Sequence, residues 1–551
     1  MNIKFTVSVL LFLFPSILNS QSVGYPQLPF NMPQIDIPHF RPDTYNIVNY
    51  GAKPDGITLN TSAIALAIEA CNKAGGGVVM VSRGIWLTGP IKLASNVNLH
   101  MDKGSLLLFS RNFDDYPLLY TTYEGFHRVR CASPISGNNL ENIAITGEGI
   151  IDGSGDAWRP VKKSKLTSAQ WNELKNSGGV LNKEGNIWYP SEKSLLGNSL
   201  SYEELQSRHS LQEHEDIKDA LRPVLLSLIQ CSNILLDGPA FQNSPAWNIH
   251  PLMCEKVVIR NIDVRNPWYS QNGDGLDLES CRYCHVENCR FDVGDDAICL
   301  KSGRDKAGRE RGMPTEFVLI KDCIVYHGHG GFVIGSEMSG GIRNIVVSNC
   351  TFMGTDVGLR FKSARGRGGL VENIYATHIN MTEIPTQAIL FDLFYSGKAP
   401  VPDEEDKTGD NPEPSIPPVS EETPQFRNCY FSDITCKGAG QAVLMRGLPE
   451  MKISNIHIRN LRIAAARGIS CADVEKISFK DLMIFNESGP VFEISHSDSI
   501  LIENVIYTDG TDIFTYIKDA NRGSIEIINV DLSKSKNGIV RGDEVRPDIL
   551  K

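Results

Sequence analysis

Beyond its first twenty or so residues, the chain has no apolar run long enough to cross a membrane. It also lacks an excess of positive charge: the formal net charge is −11 over 551 residues, which argues against a nucleic-acid partner. Cys281 and Cys284 have no second Cys-x-x-Cys to join them, so no zinc site is expected, and no other metal or cofactor is. The triple glycine Gly75-Gly76-Gly77 follows a helical pattern and lacks a Gly-Lys-Ser/Thr element, so it is no phosphate loop. Leu occupies no fixed repeat positions, which removes leucine-rich repeats.

What is present is a repeat. A short apolar strand, an Asn or Asp, and a second short apolar strand recur. They read Val257–Val264 around Asn261, Cys284–Phe291 around Asn288, Val318–Val325 around Asp322 and Ile345–Phe352 around Asn349. Later copies carry Asp433, Asn460, Asp481 and Asn504 at the marker, and earlier ones centre near Gly147 and Gly238. The intervals run from 21 to 34 residues, with one longer gap. Such spacing with alternating Val/Ile and Asn/Gly turns predicts an all-β solenoid, one coil of a parallel β-helix per repeat. A solenoid keeps residues 23–551 as one long domain, with insertions near 160–222 and 397–424.

Stacking brings equivalent positions of successive coils to roughly 4.8 Å, so phase within the repeat matters more than distance along the chain. Four segments at related phases carry reactive side chains: Asn272-Gly273-Asp274, Gly294-Asp295-Asp296, Gly328-His329-Gly330 and Arg360-Phe361-Lys362. Asp295 lies seven residues after Asn288, and His329 seven after Asp322; Asp274 lies thirteen after Asn261, and Lys362 thirteen after Asn349. The count predicts shared phases for each pair, with Asp296 and Arg360 between them. Three carboxylates, an imidazole and two cations would then face one side. Basic stretches follow these coils: Lys301, Arg304, Lys306, Arg309 and Arg311, then Arg360, Lys362, Arg365 and Arg367. Their placement suggests a cleft for an anion.

The flanks add context. Lys4, the apolar run Val7–Phe14 and small residues at Ser20 and Ser22 predict a signal peptide over 1–22, and export to the periplasm or medium. Once it is removed, no membrane span is expected. The thirteen cysteines are read as buried thiols rather than a disulfide framework, with Cys289, Cys323 and Cys350 at one inward phase. Asn60 or Thr61 is expected to cap a helix whose apolar face is Ile64, Ala67, Ile68 and Cys71, covering the first coil. Trp171 and the pair Trp188-Tyr189 are expected to pack their insertion against the coils.

The four segments in this order, together with the helix and triple glycine, resemble glycoside hydrolase family 28, the polygalacturonases and their relatives, over roughly residues 42 to 510. The resemblance implies a right-handed parallel β-helix and hydrolysis of α-linked galacturonic acid with inversion, on an acidic polysaccharide or oligogalacturonide. It departs from the family pattern at Gly273, where Thr is usual, and at Phe361, where an aliphatic residue is usual. Inversion uses a protonated carboxyl for the leaving oxygen and a carboxylate for water, roughly 6.5–9.5 Å apart. The expected roles are Asp295 as acid, its pKa raised by Asp274 and Asp296, with those two sharing the water as base. His329 would bond Asp295. Arg360 and Lys362 would hold a uronate, with Asn272 and Tyr395 as further substrate contacts. The two insertions and the 301–311 stretch suggest a blocked groove and exo action. An α-galacturonidase on rhamnogalacturonan fragments, a β-helix polysaccharide lyase and a non-catalytic carbohydrate-binding solenoid are the alternatives. No oligomeric state is specified.

Overall fold

In the computed structural model, which describes residues 28–395, 416–518, 523–543 and 545–550, 31 strands pair into one sheet that winds along the chain. The expected signal peptide and residues 397–415 of the second insertion lie outside the described residues. Each strand bonds in parallel to its equivalents one coil before and one coil after. Val257, Cys284, Val318, Ile345 and Ile374 form one such column. The architecture is the parallel β-helix the repeat predicts, right-handed as the family resemblance implies.

The repeat markers are its corners. Asn261, Asn288, Asp322, Asn349, Asp433, Asn460, Asp481 and Asn504 all have φ between 49° and 57°. Asn and Asp tolerate this left-handed region better than other side chains. Their amides also bond up the stack: Asn261 donates to Asp237 at 2.7 Å, Asn288 to Asn261 at 2.8 Å and Asn460 to Asp433 at 2.6 Å. At Gly238 a side chain is impossible, because a Cβ would sit 2.3 Å from the Gly147 carbonyl oxygen. The long gap after Asn349 contains a hidden marker. His378, φ 55°, stands between Asn349 and Asp433 in register.

Inward-facing Val, Ile, Phe and Cys fill one continuous core, and all thirteen cysteines are buried free thiols. The helix Thr61–Lys73 contributes Ile64, Ala67, Ile68 and Cys71 to that core. The Asn60 side chain does not cap it; Asn60 instead exchanges bonds with the Lys53 backbone. A second apolar cluster lies outside the coils. Residues 28–40 run across Ala144, Leu235, Val258, Leu319 and Val346, covering them with Met32, Ile35 and Ile37. This is why strands such as Val257-Val258-Ile259 read as unbroken apolar runs: both faces are buried.

Three additions sit beside the coils. The 160–222 insertion buries Trp171 and Trp188 in a cluster with Val161, against which Tyr269 packs. Tyr189 is also buried. The helix Asp305–Arg311 docks its Arg309 on the carbonyls of Gly366 and Arg367. An antiparallel hairpin, Leu118–Tyr123 with Phe126–Cys131, has no counterpart in the sequence reading.

Candidate active site

The strands Leu276–Glu279, Ile298–Lys301, Ile324–Gly335 and Thr355–Lys362 stack as one sheet face. Asp274 and Asp296 precede the first two of these strands. The Gly275 amide donates to the Asp296 carbonyl at 2.9 Å, so the two acids are stacked neighbours. The His329 amide likewise donates to the Asp295 carbonyl at 2.9 Å. The shared phase of Asp295 and His329 holds. The shared phase of Asp274 and Lys362 does not: Lys362 stands in the column of Gly335 and Asp392. Asp274 comes thirteen residues after its marker and Asp296 eight after its own, a difference of five. The extra residues form the loop at 266–273, which counting from the marker cannot see.

That loop explains the glycine at 273. A Cβ there would meet Ser270 Oγ at 2.0 Å, and one at Gly294 would meet it at 2.5 Å. Ser270 is fully buried and takes the room a larger residue would need. Arg222 ties the loop down by donating to the Gln271 carbonyl at 2.9 Å and to Asn272 Oδ1 at 3.0 Å. The Asn272 amide in turn donates to Asp295 Oδ2 at 3.2 Å. Phe361 has an equally local cause. It points inward and stacks on Phe391 at 4.3 Å, and strand alternation then sends Arg360 and Lys362 outward together.

The three carboxylates converge, each offering an oxygen within 4.8 Å of the others. That is tighter than the roughly 6.5–9.5 Å expected between inverting carboxyls. Such a trio has the donor set for a cation, but two side chains already neutralise it. Lys362 Nζ lies 2.7 Å from Asp296 Oδ2, and an Arg360 guanidinium nitrogen 3.2 Å from Oδ1. Arg360 and Lys362 therefore hold Asp296. Both lie near the ring of Tyr395, at 5.8 and 5.1 Å.

These contacts separate the acids. Burial pushes Asp296 up, but Lys362 and Arg360 outweigh it and hold the carboxyl well below the usual range. Burial raises Asp295, with Asp296 adding to it and His329 pulling back; crowding is the second cause, not the first. Burial, then Asp277 and Asp295, pushes Asp274 far above the usual range. Asp274 and Asp296, expected to share the water, are thus shifted in opposite directions. Nor does the His329 ring bond the Asp295 carboxyl: its Nδ1 lies 3.2 Å from Asp356 Oδ2, with nearly half the side chain exposed.

The sequence reading missed the buried ions behind Asp274. Lys301 Nζ lies 3.9 Å from Asp274, 3.4 Å from Asp277 and 3.3 Å from Glu337, and 4.6 Å from the Trp247 ring. Burial lifts Asp277 to about 7 despite Lys301. Glu279 is also buried, yet His250 at 3.0 Å and Arg311 at 2.7 Å bring it down to about 2. A Leu-Asp-Leu-Glu strand, apolar and acidic by turns, was the available signal. The basic stretches are mostly spent internally: Arg311 on Glu279, Arg365 on Glu450 at 2.6 Å, Arg367 on Asp305 at 2.8 Å. Of the cations in them, Lys301, Arg360 and Lys362 stand against the site carboxylates.

Residues 162–406, which hold all four segments, match Glycosyl hydrolases family 28. The chain is 28% identical over 448 residues to an exo-poly-alpha-D-galacturonosidase of Dickeya chrysanthemi, covering 76% of this chain and 72% of that one. It is 27% identical over 453 residues to a probable polygalacturonase of Vitis vinifera, covering 80% and 79%. Among solved structures it resembles an exopolygalacturonase from Thermotoga maritima, with a TM-score of 0.63, 29% identity, and coverage of 86% of this chain and 93% of that one. With its coil, its four ordered segments and these relatives, the chain belongs to glycosyl hydrolases family 28.

Proposed function

We propose that the protein is an exo-acting polygalacturonase, hydrolysing α-linked galacturonic acid from the end of a pectic chain with inversion at the anomeric carbon. One observation carries this reading. Asp295, a carboxyl whose pKa burial raises, stands beside Asp296, whose carboxyl Lys362 and Arg360 hold well below the usual range. Pairs of acids pushed apart in pKa are how a site runs acid and base chemistry at one pH.

Asp295 gives its proton to the leaving glycosidic oxygen. Asp296 takes the proton of the attacking water, and Asp274, its pKa raised by burial, orients that water by a hydrogen bond. His329, beside Asp295, tunes the acid through space. Arg360 and Lys362 serve twice: they hold Asp296 ionised, and their remaining N–H groups meet a uronate under Tyr395, with Asn272 as a polar contact across the site. Export as a soluble enzyme through the 1–22 signal peptide fits a polymeric substrate outside the cell. Among the described residues no helix is long and apolar enough to span a membrane.

A time course on polygalacturonic acid, following reducing ends and product lengths, tests the reading. Galacturonate monomer from the earliest points is expected. Long oligomers first would refute exo action, and a new ultraviolet absorbance with chelator sensitivity would indicate a lyase. Proton NMR of the first product tests stereochemistry: a β anomer is expected, and an α anomer would require one of the close-set Asp residues to act as nucleophile.

A further inference from the structure

Away from the carboxylates, one column of outward-facing side chains runs in register from Ala144 through Val346 to Tyr375, Tyr430, His457 and Ser478. As far as Val346 its apolar members are buried, because residues 28–40 lie across them. This strap leaves the first coil, where Thr44–Asn46 pairs with Gly77–Val81, and climbs the column to Phe30 and Leu28. Phe30 reaches both Phe317 and Tyr375, at 5.8 and 6.5 Å. Full burial ends there. Tyr375, Tyr430 and His457 are only partly buried. They floor a groove of about 670 Å³ whose near end is lined by Leu28 and Pro29.

The groove floor is aromatic. The Tyr375 and Tyr430 rings stack at 4.9 Å with planes 7° apart, and Tyr430 and His457 at 5.0 Å with planes 4° apart. Rings stacked on one another present edges to the groove, whereas a sugar ring needs a free face, so the groove does not suit a polysaccharide. At Ser478 the column turns polar. Aromatic-lined grooves take proline-containing segments in the polyproline II form, which is ordered before it binds. The chain's own continuation has that composition. Upstream of Leu28 it reads Val23-Gly24-Tyr25-Pro26-Gln27, which lies outside the described residues. Pro26 and Pro29 stand three apart, one turn of polyproline II, and so share a face roughly 9 Å apart. Two coils at roughly 4.8 Å each span the same distance. With Pro29 at the near end of the groove, Pro26 falls beside Tyr430 and His457. Five extended residues reach about 16 Å, enough to cover the strip as far as Ser478.

We propose that residues 23–27 fill this groove, with Pro26 seated on the edges of Tyr430 and His457, so that one strap covers the column from the first coil to its last aromatic rung. The segment is favoured over a second copy of the chain because it is tethered at the mouth of the groove. A tether of a few residues holds its end at a local concentration on the order of millimolar, which a free partner must match in solution. The groove lies on other strands than those bearing the carboxylates, so filling it stabilises the coil stack and leaves the site untouched.

The test puts a benzophenone side chain in place of Tyr25 in the full chain and maps its photo-cross-links by mass spectrometry. Cross-links within one chain, to the peptides carrying Tyr430 or His457, are expected. Pro26→Gly frees the undocked segment without touching the coils and should lower their yield roughly two- to fivefold. Tyr430→Ala removes the central ring and should lower it roughly tenfold, with a melting curve to show that the coil is intact. Cross-links to other faces of the coil would overturn the proposal. So would cross-links chiefly between two chains, which would give the groove to a second copy. A yield unchanged by both substitutions would overturn it as well. If Tyr430→Ala does not fold, Pro26→Gly and His457→Ala carry the test on the same terms.

Discussion

Asp274 and Asp296 occupy the same position on adjacent coils, yet their surroundings give them opposite chemistry. The coil of Asp296 is regular, and the next strands deliver Lys362 and Arg360 onto its two oxygens. The coil of Asp274 carries five extra residues and backs onto Asp277, which shares one lysine with it. Burial is complete in both places; what differs is the count of cations in reach. A stacked fold repeats the backbone environment, so the neighbours one coil along, not the position itself, decide whether a carboxyl holds its proton.

The largest effect should come from removing the split altogether. Asp295→Asn and Asp296→Asn should each lower kcat by roughly 10²–10⁴-fold, the span of general acid–base catalysis. Thermal melts must accompany the assay, because Asp296→Asn also strands two buried cations. A folded variant within tenfold of wild type would remove that residue from the mechanism.

Next comes the cost of the crowded coil. Asp277 titrates at about 7 in the fold against about 3.9 unfolded. Between those values the folded state binds more protons, so stability falls as pH rises from about 4 to 7. One such group contributes up to about 1.4 kcal/mol per pH unit. Asp277→Asn should flatten the slope of denaturant-melt stability across that window. An unchanged slope would show that Asp277 is ionised throughout.

The ordered coil is probed by Lys362→Met. Its loss lets burial raise the Asp296 pKa, so the acidic limb of kcat/KM against pH should move upward by about one unit, worth about 1.4 kcal/mol. A limb that stays in place would assign it to a group other than Asp296.

How far the sequence foretold this depends on which neighbours lie in phase. The coil, the helix face and the Asp295–His329 stacking were legible because apolar alternation and Asn/Asp corners repeat at short range. His378 escaped because a corner needs only a tolerated φ, not an Asn. The Asp274 register, the pairing of both cations to Asp296 and the hairpin escaped for another reason. Each depends on loop length or on partners far away in sequence, and neither leaves a periodic trace. Gly273 and Phe361, by contrast, could be seen as departures from the family pattern, and only the packing around Ser270 and Phe391 gives their cause.

That packing supplies the smallest and sharpest perturbation of the Asp274 coil. Gly273→Ala places a Cβ against Ser270 Oγ, which now donates to the Pro267 carbonyl at 2.6 Å. The hydroxyl must turn away and lose that bond, at about 1 kcal/mol, the low end of overpacking costs. Ser270→Ala removes the hydroxyl and its bond together, leaving the Ser270 Cβ contact at 2.7 Å for the loop to relieve by a small shift. If the two residues act as one unit, the double variant should be more stable than the sum of the single losses predicts, and Asp274 should keep its place beside Asp296. Strict additivity in the cycle would mean that the loop, not the Ser270–Gly273 contact, sets the position of the raised carboxyl.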